Sequence, residues 1–229
     1  MTDTDLQSGE MRVVGRLVDA SNATLLCEIG SEESTRSVIY KPIAGERSLW
    51  DFPDGELAKR EVAAYIFSEL LGYGIVPETI FRDGPYGMGS VQRWIDVDEE
   101  IDVVSLAQSL DPQIRAMAIF DLLINNTDRK FGHILPTTSG KIYGCDHGVA
   151  FHHEDKLRTV LWQFAGEALS ESEKRDLSLL PEKIENSELS TYLSEEDLAA
   201  LLMRIERTLK DNSFPFPSED WPAVPWPPF

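Results

Sequence analysis

Apolar and polar positions follow two different rhythms along the chain, and the change between them marks its organisation. In the first third, "MRVVGRLV", "TLLCEIG" and "RSVIYKP" are short runs with partial alternation, the pattern of half-buried strands. Small polar residues, "DASNA", separate the first two, and Pro42 closes the third. "ELAKREVAAYIFSELLG" then repeats apolar residues at helical spacing and stops at Gly72, predicting a helix over about 55–71. "PETIFRDGPYGMGSVQRWID" predicts two more strands around a Gly/Pro turn. Beyond "DVDEEID" the period becomes helical. Asp111–Pro112 opens "PQIRAMAIFDLLINN", "KIYGCD" is a short strand, and "VLWQFAG" and "SESEKRDLSLL" predict short helices. Ser194 caps a last helix, "EEDLAALLMRIERTLK".

Strands with one helix, followed mainly by helices, predict an α+β architecture of two lobes. Residues 1–10 read as a frayed acidic lead, and 11–96 as a lobe built on a small antiparallel sheet. Residues 97–212 read as a helical lobe reached by a linker near Ile95 to Asp102. The tail, 213–229, is set apart by the six prolines and two tryptophans of "FPFPSEDWPAVPWPPF". Such a segment is extended. It predicts either a strap docking Trp221, Trp226 and Phe229 on its own domain, or a ligand for the aromatic groove of a protein partner.

Charge narrows the range of functions. With 21 basic against 40 acidic residues the formal net charge is −19, a field that repels nucleic acid and anionic bilayers. No run approaches a membrane span and the start is acidic, so the expectation is a cytoplasmic protein with no nucleic-acid partner and no stable membrane association. Cys27 and Cys145 provide neither a disulfide framework nor a zinc site.

Against this acidic background a few residues carry chemistry. Lys41 ends a strand, and Glu61 falls on the apolar side of the first helix, where a carboxylate needs a cation. Glu56 and Glu69 are the competing carboxylates; pairing Lys41 with Glu61 is how a kinase-like cleft fixes an ammonium against the phosphates of ATP. A turn covering those phosphates is available in Ser21, Asn22, Ala23 and Thr24, and Gln92 and Trp94 lie where the chain would pass adenine. Asp128 follows a helix and the turn "NNT", the place for a carboxylate that orients an acceptor. Lys130 is placed to offset phosphoryl charge, and His133 and Asp146 to converge on a metal ion.

"TDRKFGHIL" and "YGCDHGVAFH", supported by "VIYKP", "LAKREVAAY" and "GSVQRWID", resemble the phosphatidylinositol 3- and 4-kinase-like group, especially its small bacterial branch. The resemblance spans about Arg12 to Phe151. It implies a protein-kinase-like fold, ATP, Mg²⁺ or Mn²⁺, and phosphoryl transfer, with Lys41 on the phosphates, Glu61 as its partner, Asp128 catalytic and Asp146 a metal ligand. Where those lipid kinases carry asparagine, this chain has His133, a donor better suited to Mn²⁺ than to Mg²⁺. The segment after "DHG" holds Lys156 and Arg158 but no dense basic run. The expected acceptor is therefore a protein hydroxyl or a soluble small molecule before a lipid. A nucleotide-binding pseudokinase with a regulatory or scaffold role is the alternative.

Overall fold

Aliphatic and β-branched residues on one face of each strand assemble the first half of the chain around a five-stranded antiparallel sheet. The computed structural model describes residues 6–17, 23–31 and 34–229. Strands β1 (Met11–Arg16), β2 (Leu25–Ser31), β3 (Ser34–Pro42), β4 (Thr79–Gly84) and β5 (Gly87–Arg93) lie in the order β1-β2-β3-β5-β4. A bulge between Val13 and Gly15 interrupts the β1–β2 register. Cys27, Ile29, Val38, Tyr40 and Val91 form a small core behind the sheet. Lys41 and Ser90 are paired across β3 and β5, and Gly89 lets the strands close there. A Cβ on Gly89 would sit 2.4 Å from the Lys41 carbonyl oxygen. Leu6, in the segment expected to be frayed, is buried in this core, and Arg82 Nη1 holds the backbone oxygens of Leu6 and Gly9. Side-chain burial and a backbone clamp override the polar character of residues 6–9, while residues 1–5 of that lead lie outside the described residues.

Helix α1 (Leu57–Leu71) is inserted between β3 and β4 and ends at Gly72, whose φ of 80° suits the left-handed stop. Its Ala63, Ala64, Phe67 and Leu71 join the larger core of the second half, against Ile114, Met117 and Phe120. That half contains α2 (Val103–Ala107) and α3 (Pro112–Ile124), the hairpin of β6 (Ile134–Pro136) and β7 (Ile142–Gly144), then α4 (Glu171–Glu185), α5 (Leu189–Tyr192) and α6 (Glu195–Asp211). Asp111, with Pro112 behind it, caps α3 through the Gln113 N–H, and Ser194 caps α6 through Asp197.

Two short-helix expectations are corrected. "VLWQFAG" gives only a single tight turn, Trp162–Phe164, because Gly166 N–H is taken by the Phe214 carbonyl. "SESEKRDLSLL" is the first part of the much longer α4, which runs through Pro181 because Leu177, Leu180 and Ile184 form one buried stripe. The tail lies along its own chain. Thr159 N–H and Trp162 Nε1 both donate to the Ala223 oxygen, at 3.0 and 2.8 Å, and Phe131 N–H donates to Pro228. Trp221 is half-buried and the Phe229 ring meets Phe131 at 5.3 Å, whereas Trp226 is 86% exposed and does not dock. Among the described residues no helix is long and apolar enough to cross a membrane.

Candidate active site

β3 runs out of the sheet core at Lys41, so its ammonium emerges between the two halves of the molecule. There Lys41 Nζ bonds Glu61 Oε1 and reaches Asp146 Oδ1 at 2.6 Å. Glu61 is only 2% exposed, as its place on the apolar side of α1 requires, and its second oxygen accepts the His147 N–H at 3.1 Å. One carboxylate thus ties the sheet lysine, α1 and the loop after β7 together. Burial works against the Lys41 charge, but Asp146 and Glu61 outweigh it and hold the ammonium pKa above its usual value. Lys41 in turn keeps the Asp146 carboxyl well below the ordinary range, while burial pushes that of Glu61 up. Asp146 has φ 60°, a left-handed conformation that aspartate tolerates better than most residues.

The loop after α3 supplies the second acidic group. Asn125 ends the helix in the left-handed region, and Asn126 Oδ1 accepts the Asp128 N–H at 3.0 Å. Lys130 Nζ is 3.2 Å from Asp128 Oδ2. Burial raises the Asp128 pKa, partly offset by Lys130 and His133. The loop is anchored from below by Arg129, which is fully buried. Its guanidinium pairs with Asp121 at 2.8 Å, contacts His147 Nε2 at 2.6 Å, and donates to the carbonyls of His133 and Cys145. The strong pairing keeps both charges satisfied in the interior. His147 is held neutral by burial and the nearby Arg129.

His133 Nε2 lies 3.4 Å from Asp146 Oδ2. Two donors about 2.1 Å from one ion, at right angles or somewhat wider, are about 3.0–3.4 Å apart, so the pair fits a shared divalent cation. Burial holds His133 neutral, with an available nitrogen lone pair. Among the described residues no group of three or more His, Cys, Asp or Glu gathers here. An ion would thus need oxygen donors from outside the protein, water among them, for its remaining positions.

Ala23, Thr24, Lys41, Glu61, Asp128 and Asp146 line one cavity of about 430 Å³, within the roughly 300–1,000 Å³ of small-molecule sites. Ala23 is fixed over it by an N–H bond to the Gly45 carbonyl, and glycine is needed there, since a Cβ would lie 2.4 Å from that of Ala23. Ser21 and Asn22 lie outside the described residues. Gln92 and Trp94 are not brought to this cavity. Gln92 is buried, with Nε2 bonded to Thr79 Oγ1 at 2.8 Å, and Trp94 Nε1 bonds Asp96. Sequence reasoning missed Glu46, Arg158 and Trp221 in the lining, and Arg129–Asp121 beneath it. Asp121 left a signal as a carboxylate within an apolar helical stripe, Trp221 as a docking tryptophan and Arg158 as a basic residue after "DHG", but their meeting at the cavity arises by tertiary contact.

No protein-family model matches the chain. It is 38% identical over 262 residues to Protein Rv2133c of Mycobacterium tuberculosis, covering 98% of this chain and 94% of that protein. Among solved structures it is similar to hydra Fam20 with sugar, at TM-score 0.60 and 14% identity over 90% of this chain and 85% of that one. It also resembles the Golgi casein kinase, at TM-score 0.57 and 15% identity over 90% and 72% of the two chains. The Helicobacter pylori proinflammatory kinase CtkA gives TM-score 0.53 and 13% identity over 90% and 94%. The shared feature is the fold, which is protein-kinase-like.

Proposed function

The chain belongs to the same family as Protein Rv2133c of Mycobacterium tuberculosis, and on that footing, with its protein-kinase-like fold, we propose that it is an ATP-dependent phosphotransferase acting on an alcohol group. The observation that carries this is Lys41 held between Glu61 and Asp146, in one cavity with Asp128. Lys41 binds and orients the phosphates, and the Ala23–Thr24 turn covers them. Asp128 orients the acceptor hydroxyl and takes its proton as the oxygen bonds to the γ-phosphorus. The bond from that phosphorus to the β–γ bridging oxygen breaks and ADP leaves. Lys130 offsets charge on the transferring group. His133 and Asp146 would hold Mg²⁺ or Mn²⁺, which when bound supplies charge neutralisation on the phosphates.

Within this reading the finer assignment is the phosphatidylinositol 3-/4-kinase-like group, with a protein hydroxyl or soluble small molecule preferred over lipid. Mn²⁺ is preferred because of the imidazole donor. The setting is cytoplasmic, in keeping with Cys27 and Cys145 as free thiols. His133 in place of an oxygen donor also favours a second reading, a nucleotide-binding pseudokinase with a scaffold role.

Incubation with ATP labelled at the γ- or the α-position separates these. Release or transfer of γ-label, faster with Mn²⁺ and lost about a hundredfold or more in Asp128→Ala with nucleotide-induced stabilisation retained, is the expected outcome. Stabilisation without turnover identifies the pseudokinase. Transfer of α-label identifies nucleotidyl transfer. No stabilisation at millimolar nucleotide defeats both nucleotide readings.

A further inference from the structure

The outer wall of the cavity is made by the segment after Asp146 and by the chain's own C-terminus, and together they restrict what can reach Asp128. Arg158 is fastened beside that aspartate on both sides: its N–H donates to the Asn126 oxygen at 2.9 Å, and its carbonyl accepts the Arg129 N–H at 3.1 Å. Its side chain is half-buried and lines the cavity, with Nε buried and unpartnered. Among the described residues the Arg158 guanidinium has no ion pair and no hydrogen bond.

Its neighbours are different. Lys41 is held by Glu61 and Asp146, Lys130 by Asp128, and Lys156 by Asp51 and Glu154. In a chain with 40 acidic residues, leaving one cleft arginine without a carboxylate forgoes a favourable pairing that the composition offers freely. The group that completes it is an anion entering next to Asp128.

The tail sets the size of that anion. Phe131 N–H and Thr159 N–H, on the two segments flanking the aspartate, are backbone donors that an extended peptide laid across the site would use. Both are already taken, by Pro228 and Ala223. Trp221 lines the same cavity, with the Lys156 ammonium 5.6 Å from its ring centre.

Resting on the phosphotransferase reading, we infer that the acceptor is a small hydroxyl compound carrying an anionic group, carboxylate or phosphate, gripped by Arg158 in a pocket walled by Trp221. Its hydroxyl oxygen bonds to the γ-phosphorus as the bond to the bridging oxygen breaks, its proton passes to Asp128, and ADP leaves.

The test is calorimetric titration of full-length protein saturated with a non-hydrolysable ATP analogue and Mn²⁺. The probes are D-glycerate for a carboxylate acceptor, glycerol 3-phosphate for a phosphate acceptor and glycerol as the neutral control. At least one anionic probe should bind in a 1:1 ratio and glycerol should not. Arg158→Gln should weaken that probe about tenfold or more, with the analogue affinity and melting temperature unchanged, and Arg158→Lys should recover part of the loss. Absence of binding by both anions up to about 10 mM overturns the inference, as does equal binding by Arg158→Gln. A selective loss of analogue affinity assigns Arg158 to the nucleotide and overturns it too. Phosphorylation of serine or threonine peptides by the intact protein removes the small-acceptor conclusion. Failure of the analogue itself to bind is a different result, which takes down the phosphotransferase reading beneath it.

Discussion

Burial acts against the charge of Asp128, the carboxylate proposed to orient the acceptor. Burial raises its pKa, so the folded protein holds this proton more tightly than the unfolded chain does. A carboxyl shifted in that direction gives most stability below its unfolded value of about 3.9, and stability is lost as pH rises through the folded value. At neutral pH its charge therefore opposes folding. Asp128→Asn should abolish transfer and yet raise the melting temperature at pH 7, by about 2–4 °C for each kcal/mol relieved. The gain should shrink as pH falls toward 4. Thermal denaturation across that range checks it, and a lower melting temperature at pH 7 would mean that Lys130 more than compensates for burial. The residues legible in sequence were those forced by charge and burial. Glu61 on an apolar face needs a cation, and Lys41 ends the adjacent strand. Gln92 was not legible, because its bond to Thr79 depends on how β4 and β5 are paired.

At the level of elements, α1 has to present Glu61 at a fixed height, yet Glu56 at its start makes no capping bond. The cap comes from a distance. Glu46 accepts the N–H groups of Leu57 and Ala58, at 3.3 and 2.8 Å, and places a negative charge at the positive end of the helix. Glu46→Ala should therefore cost about 1 kcal/mol, about 2–4 °C in melting temperature, and weaken nucleotide binding through Glu61. Thermal denaturation with and without ATP measures both effects; unchanged stability would show that the cap is dispensable. Long periodic elements could be read from the chain: α3 and α6 have local caps in Asp111 and Ser194, and α1 shows its apolar period and its stop at Gly72. The extent of α4 could not, because Pro181 resembles a stop and only the packed stripe of Leu177, Leu180 and Ile184 carries the helix past it. The early end of the turn at Trp162–Phe164 was equally hidden, because the Phe214 carbonyl that takes the Gly166 N–H lies about fifty residues further along the chain.

Across the whole molecule, the two-lobed reading of the sequence assigns α1 to the sheet side, but its apolar residues pack into the core of the other half. Ala63, Ala64, Phe67 and Leu71 belong with Phe120, Phe151 and Leu180, while the sheet keeps a separate small core of its own. Arg60 adds a buried tie, with Nη2 2.7 Å from Asp197 at the start of α6 and Nη1 2.7 Å from the Ala150 carbonyl. Moving α1 outward would open the main core and leave a buried arginine without its partner, so Glu61 should stay engaged with or without a ligand. Lys41 to Asp146 ties the sheet directly to the other half, and a nucleotide with its metal would bridge the same two residues. Hydrogen exchange should thus find the amides of α1 as protected as those of α3 in the absence of nucleotide, and unchanged on adding ATP and Mn²⁺, with new protection confined to the β1–β3 region. Slow exchange appearing in α1 only after nucleotide addition would mean that the helix is recruited by the ligand, and that the shared core does not hold the lysine–glutamate pair in place.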